Sequence, residues 1–195
     1  MPYSKKHKQA TRKKILESAV TLFSNKGFSQ VSIDDLMHHA GLTRGAFYTH
    51  FASKQDVYAK SIIAGVKARV TNQQTVKGYS QEAWMKDLLF SYLSEEHVAQ
   101  KDAPCPLAFL VTDIANKEEK VKATYTRMYK MLNKTIQAQL SKEPSSPNPS
   151  QQEVYAATAM MIGGVAIARA LNNEAMEKEL LESCRHAASA LVGCS

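Results

Sequence analysis

Very little in this sequence can interrupt a helix. The 195 residues include only eight glycines and six prolines, and three of the prolines fall in the short stretch Glu143–Ser150. Almost everywhere else, apolar residues recur at the spacing that gathers them on one face of a helix, which predicts an all-α protein. With 44% apolar residues the chain can bury a sizeable core. Its longest uncharged apolar run, Val154 to Ala168, stops at Arg169 and is too short to span a membrane. No basic-then-apolar leader opens the sequence, so a cytoplasmic protein is expected. Three cysteines, Cys105, Cys184 and Cys194, with no CxxC pairing argue against a disulfide scaffold or a zinc site.

The N-terminal part divides into short helical segments. A first helix is expected from about Ala10 to Lys26, with Ile15, Leu16, Ala19, Leu22 and Phe23 as its apolar stripe. Gly27 ends it, and Phe28 can fold back on the last turn. Ser32-Ile33-Asp34-Asp35 resembles a capping box opening a second helix that Gly41 closes. Thr43 can cap a third helix to about His50, and Ser53-Lys54-Gln55-Asp56 opens a long fourth one. Later helices are expected over about Ser80–Val98, Pro106–Ala115, Glu118–Leu140, Gln151–Leu171 and Ala175–Val192.

Charge is distributed unevenly over these segments. Residues 1–60 hold ten basic and four acidic groups, so +6 of the formal +7 lies in the first third. Lys5, Lys6, Lys8, Arg12, Lys13 and Lys14 precede the first acidic residue. A basic module meeting a polyanion, joined to a near-neutral remainder, fits this asymmetry. The division expected is a basic flexible arm over 1–9, a basic domain over 10–55 and a near-neutral larger domain over 56–195.

Two short helices separated by Ala40-Gly41-Leu42 make a helix-turn-helix, because a glycine in the turn lets the second helix cross the first steeply. In the second helix Phe47 and Phe51, four apart, face the core. Arg44, Gly45, Tyr48 and Thr49 are left on the outer side. Gly45 is small where a helix must approach a groove wall, and Arg44 can reach guanine O6 and N7. Tyr48, His50 and Lys54 are candidate phosphate contacts. Ser32 and Thr43, at the two helix starts, complete the candidate DNA-facing set. His38-His39 does not form a metal pair, since helix neighbours point about 100° apart, and no metal or other cofactor is implied.

At these residues the sequence resembles the tetracycline-repressor (TetR) family of bacterial regulators. The resemblance is carried by Ile15-Leu16, Ala19, Leu22-Phe23, Lys26-Gly27-Phe28, Val31 to Leu36, Ala40-Gly41-Leu42, Gly45 to Phe51 and Ser53-Lys54. It implies a homodimer that places two third helices in successive major grooves of double-stranded DNA, on a near-palindromic operator with half-sites about one helical turn or a multiple apart. It also implies that the remaining helices dimerise and hold a small-molecule effector. Effector binding there would tilt the fourth helix and release the operator, as expected of a repressor.

Beyond residue 60 no sequence motif is legible, and the absence of GxSxG, P-loop, HExxH and dinucleotide patterns speaks against an enzyme. Gly163-Gly164 and the seam Leu180, Cys184, Ala187, Leu191 are candidate dimer contacts. Trp84, Cys105, Phe109, Tyr125, Met128 and Tyr129 are candidate effector contacts, with Phe90, Tyr92 and Met161 in a wider aromatic and Met set that is largely core. Cys105, between two prolines at a helix start, is a candidate reactive thiol for an electrophile or oxidant. An architectural DNA-binding protein without an effector site is the alternative.

Overall fold

Capping chemistry and the few glycines set the element boundaries in the computed structural model, which describes residues 5–74, 80–99, 104–141 and 148–194. All regular structure among the described residues is helical. The elements are α1 (Lys5–Lys26), α2 (Ile33–His39), α3 (Arg44–His50), α4 (Lys54–Gln74), α5 (Gln81–Tyr92) and α6 (Glu95–Val98), followed by α7 (Pro106–Phe109), α8 (Val111–Ala115), α9 (Glu119–Leu140), α10 (Gln151–Ala168) and α11 (Glu174–Leu191). Ser150 and Glu153 form a reciprocal capping box at the start of α10, and the Asn173 side chain caps α11.

Three boundaries differ from the sequence reading. Helix α1 is already wound at Lys5, where an arm over residues 1–9 was expected, because Lys, Gln and Ala favour helix and no breaker lies between Lys5 and Ala10. Residues 1–4 lie outside the described part, as do 142–147 of the Pro/Ser stretch. The expected helix Ser80–Val98 breaks at Leu93-Ser94, because the Ser94 hydroxyl accepts the His97 N–H at 3.2 Å and starts α6 afresh. Pro106–Ala115 is likewise two short helices meeting at Leu110 (φ −113°, ψ 3°).

The chain forms two compact units that do not follow the 55/56 boundary drawn from sequence: residues 1–68 with 104–128, and residues 69–103 with 129–195. In the first unit, Ile15, Ala19 and Phe23 of α1, Leu36 and Met37 of α2 and Phe47 of α3 are buried together with Tyr58 and Ile62 of α4. The turn after α1 needs a left-handed residue, and Gly27 supplies it at φ +73°. Phe28 then stacks on Phe23 at 6.0 Å and meets the edge of Tyr58 at 5.1 Å.

One carboxylate ties this turn to α4 and α8. Asp113 Oδ2 accepts the Tyr58 hydroxyl at 2.6 Å and the Phe28 N–H at 3.2 Å, and Lys117 Nζ lies 3.0 Å from Oδ1. Burial acts to raise the Asp113 carboxyl, but the bonds from Tyr58, Lys117 and Phe28 outweigh it and hold the group below its ordinary value. Burial and the same bond push the Tyr58 phenol up. Nearby, α4 approaches α7 so closely that a Cβ on Gly65 would stand 2.6 Å from Cγ of Pro106.

In the second unit α10 and α11 pack along their length. Their approach leaves no room beside Gly164, whose Cβ position is 2.9 Å from Leu93 Cδ2 and 3.1 Å from Cys184 Sγ. Thr158 of α10 donates to Asn133 of α9 at 3.0 Å and lies 3.0 Å from the Tyr129 hydroxyl, so the polar atoms buried between these helices satisfy one another. His97 is buried with Nδ1 2.6 Å from the Tyr92 carbonyl; burial, then the nearby Arg69 charge, lowers its pKa to about 3. It is therefore neutral at physiological pH.

Two measurements test these contacts. Gly65→Ala should destabilise by about 1–3 kcal/mol, because the rigid Pro106 ring cannot yield, although alanine is the better helix former; a raised urea midpoint would contradict the packing. Asp113→Asn should lower the thermal midpoint at pH 7. Since the folded-state pKa of Asp113 is depressed, its contribution is present at neutral pH and lost as pH falls through that value. The difference between wild type and variant should therefore shrink below about pH 4.

Candidate nucleic-acid interface

Helix α2 is fixed at its start by Ser32, whose Oγ accepts the Asp35 N–H at 3.0 Å while Asp35 Oδ2 accepts the Ser32 N–H at 2.8 Å and hydroxyl at 2.6 Å. These bonds hold the exposed Asp35 carboxyl below its ordinary value. At the other end Gly41 adopts φ +66°, and the Leu42 N–H returns to the Met37 carbonyl at 2.9 Å. The left-handed residue reverses the chain at once, so α3 begins only three residues later.

Helix α3 is anchored from behind. Phe47 and Phe51 are buried with ring centroids 5.7 Å apart. This fixes which face looks outward: Arg44, Gly45, Tyr48 and Thr49 are all exposed, with Tyr48 at 58%. Gly45 stands open, with nothing within 4 Å of a built Cβ. Thr43 precedes the helix in extended conformation, and its side chain makes no capping bond. Arg44 Nη1 lies 2.6 Å from Asp34 Oδ2, an exposed ion pair from α3 back to α2.

The structure brings five of the eight candidate DNA-facing residues, Thr43, Arg44, Gly45, Tyr48 and Thr49, onto or beside one exposed face. Ser32 is exposed, but its hydroxyl is engaged in the α2 cap. His50 is half-buried; burial, then the charges of Arg12, Lys8 and His7, lowers its pKa. Lys54 turns toward the protein, with Nζ 4.2 Å from the Phe28 ring centroid, and burial followed by repulsion from Lys117 lowers its pKa. Sequence reasoning missed Asp34 as the partner of Arg44, because a pairing across a turn leaves no periodic signal. It also missed that Lys8 and Arg12 of α1 approach the end of α3, although their basic run was visible.

The candidate effector residues do not gather within one unit. Cys105, Phe109, Tyr125 and Met128 belong to the first unit and Trp84 and Tyr129 to the second. Cys105 is the N-cap of α7 and is buried beside Pro106 and Leu107; the Tyr125 hydroxyl donates to the Leu107 carbonyl at 2.8 Å. Phe109 and Met128 are buried. Tyr129 stacks on Tyr155 at 6.0 Å. Trp84 is buried, and its Nε1 has no hydrogen-bond partner among the described residues. Cys105, Cys184 and Cys194 form no disulfide with one another. Of the proposed dimer contacts, Gly164 and Cys184 meet within the subunit, whereas Gly163 stands open.

Comparison with known proteins bears on this arrangement. Residues 15–60 match the family model described as bacterial regulatory proteins, tetR family. Over 122 residues the chain is 30% identical to an uncharacterized HTH-type transcriptional regulator, YfiR, of Bacillus subtilis, covering 60% of this chain and 58% of that protein. Over 57 residues it is 42% identical to the HTH-type transcriptional regulator AcrR of Shigella flexneri, covering 29% of this chain and 26% of that one. The chain thus spans little more than half of the first of these relatives and about a quarter of the second. Among solved structures, the reduced form of Escherichia coli NemR superposes with a TM-score of 0.77 at 14% identity, covering 93% of this chain and 97% of the other. A TetR transcriptional regulator from Legionella pneumophila does so at 0.75 and 16%, covering 97% and 98%. These two share the fold, from the helix-turn-helix through the larger set of helices that follows it. Residues 15–60, from within α1 into α4 and including the whole helix-turn-helix, thus match the tetR family of bacterial regulatory proteins.

Proposed function

We propose that this protein is a sequence-specific DNA-binding transcriptional regulator, a cytoplasmic homodimeric repressor released from a near-palindromic operator by a small-molecule effector. The observation that carries the reading is the outer face of α3: Arg44, Gly45, Tyr48 and Thr49 stand exposed on a helix pinned from behind by Phe47 and Phe51. A helix seven residues long with an aromatic anchor, a flat outer face and cations of α1 at its end fits a major groove. Arg44 is the base reader, and Tyr48, His50 and the α1 lysines contact phosphates. Lys54 joins them only by leaving the Phe28 ring.

The homodimer reading rests on the second unit. Tyr155 and Ile167 of α10 and Met176 of α11 are large apolar side chains left exposed, and Leu180, Ala187 and Leu191 of α11 are half-exposed beside them. An apolar stripe on α11, with further exposed apolar side chains on the α10 packed against it, matches the half of a four-helix interface. For the effector, the buried Trp84 Nε1 calls for an acceptor that a ligand can supply. Cys105 is the residue to which we assign sensitivity to electrophiles or oxidants, from its place at the start of α7.

Two experiments test this function. Selection of bound DNA from a random pool, followed by gel shifts, should give a near-palindromic site. There Arg44→Ala should relax base preference by about 1–3 kcal/mol, whereas Lys8→Ala weakens all sequences alike and lowers the salt slope by about one unit. Equal effects of both substitutions on every sequence would contradict the assignment. For the sensing chemistry, Cys105→Ser should keep operator affinity while abolishing release by N-ethylmaleimide or hydrogen peroxide. Unchanged release by both reagents would remove Cys105 from the mechanism.

A further inference from the structure

A groove of about 490 Å³ runs between α5 and α11 in the second unit. That volume is in the range of small-molecule sites. Leu89, Ala190 and Cys194 form apolar surface along it, and one wall is Phe90, the most exposed large apolar side chain of α5 at 61%. The Arg185 guanidinium lies 4.9 Å from the Phe90 ring centroid. Stacking uses the face of a guanidinium and leaves its edge N–H groups directed outward.

Those edge donors are not hydrogen-bonded among the described residues. Among the described residues Arg185 makes no hydrogen bond; its one carboxylate neighbour, Glu182, stands 3.8 Å away, although the Arg185 side chain is only 24% exposed. None of the Arg185 nitrogens is buried without a partner, so the edge donors remain accessible from the groove, where a ligand acceptor can meet them. Lys86 also lines the groove, so with Arg185 its two cations outnumber the single carboxylate of Glu182. Lys86 Nζ is itself 2.7 Å from Glu82, which does not line the groove. At roughly 100° per residue, Glu182, Arg185 and Ser189 lie across α11 from Leu180, Ala187 and Leu191. Pairing of two copies through those apolar residues therefore leaves the groove open.

We infer that this groove binds a small amphipathic carboxylate, its aromatic or aliphatic body on Phe90 and Leu89 and its carboxylate on the edge of the Arg185 guanidinium. The inference goes beyond the DNA-binding reading and does not depend on it, nor on the residues assigned above to the effector. A planar acid suits the arrangement best, because a carboxylate can accept two parallel N–H bonds from Arg185 while its ring continues the Phe90 stack.

The test uses the full-length protein, 2-naphthoate, and neutral 2-naphthalenemethanol as the matched control, with binding measured by calorimetry. The wild type should bind naphthoate saturably and the alcohol at least tenfold more weakly. Arg185→Gln should weaken naphthoate roughly tenfold or more, the loss expected for charge-assisted hydrogen bonds, and bring acid and alcohol to similar affinity. Phe90→Ala should weaken both ligands, and Lys130→Ala, at an exposed position of α9 outside the groove, should leave both unchanged. Circular dichroism of each variant establishes that it is folded, and Arg185→Lys, which keeps the charge, replaces Arg185→Gln if that chain does not fold. Equal binding of acid and alcohol by the wild type would overturn the inference. So would naphthoate binding unaffected by both Arg185 substitutions, or the absence of saturable naphthoate binding at millimolar concentration. Operator binding, measured separately on the same preparations, keeps this result apart from the DNA-binding reading.

Discussion

The arrangement of the first unit depends on the Asp113 carboxylate. A helix-turn-helix of two seven-residue helices is too short to hold its own orientation, since helices of that length draw their stability from packing. Here the packing is supplied by α1 and α4, and the turn that joins α1 to α2 is fixed by Asp113 through the Phe28 N–H and the Tyr58 hydroxyl. The Phe23, Phe28 and Tyr58 rings fill the space around this junction, with the ammonium groups of Lys54 and Lys117 over Phe28. One charged group from the middle of the chain thus orients elements near its beginning. That long-range tie, with the close approach of α4 to α7 at Gly65 and Pro106, joins residues 104–128 to the N-terminal helices in one compact unit.

Much of this was legible in the sequence because it is local. Phe47 and Phe51, four apart, had to share a face, and they are the buried pair; Gly27 and Gly41 had to take positive φ, and they do. The exposed set Arg44, Gly45, Tyr48 and Thr49 followed by subtraction. What could not be read were contacts between residues far apart in the chain. Asp113 looked like an ordinary acidic residue on a short helix, and nothing in its neighbours specifies Tyr58, 55 residues earlier. The start of α6 was missed for a subtler reason: apolar spacing continues across Leu93, and only the hydroxyl of Ser94 interrupts it.

The later helices were less legible because apolar residues there serve two purposes. Along α10, Val154, Met161 and Val165 are core while Tyr155 and Ile167 are exposed, and a chain rich in apolar residues on both faces shows no contrast from which to choose. Gly163 and Gly164 illustrate the ambiguity at adjacent positions. Gly164 is required by the approach of Leu93 and Cys184, whereas Gly163 has no neighbour within 4 Å of a built Cβ. Phe90 and Arg185 follow the same logic: each is unremarkable in its own helix, and the guanidinium becomes informative only when its stacked ring and unused donors are seen together.

The ion pair between Arg44 and Asp34 gives the outer face of α3 a resting state. Both groups are exposed, so the pair is worth at most about 1 kcal/mol and does little to hold the helices together. It nevertheless holds against its own domain the side chain proposed above to read a base. The base-reading role proposed for Arg44 requires it to leave Asp34, an exchange that a guanine offering two acceptors can repay. The carboxylate therefore acts as an internal competitor. It subtracts the same small amount from the affinity for any site that draws Arg44 away and leaves the affinity for other sites unchanged.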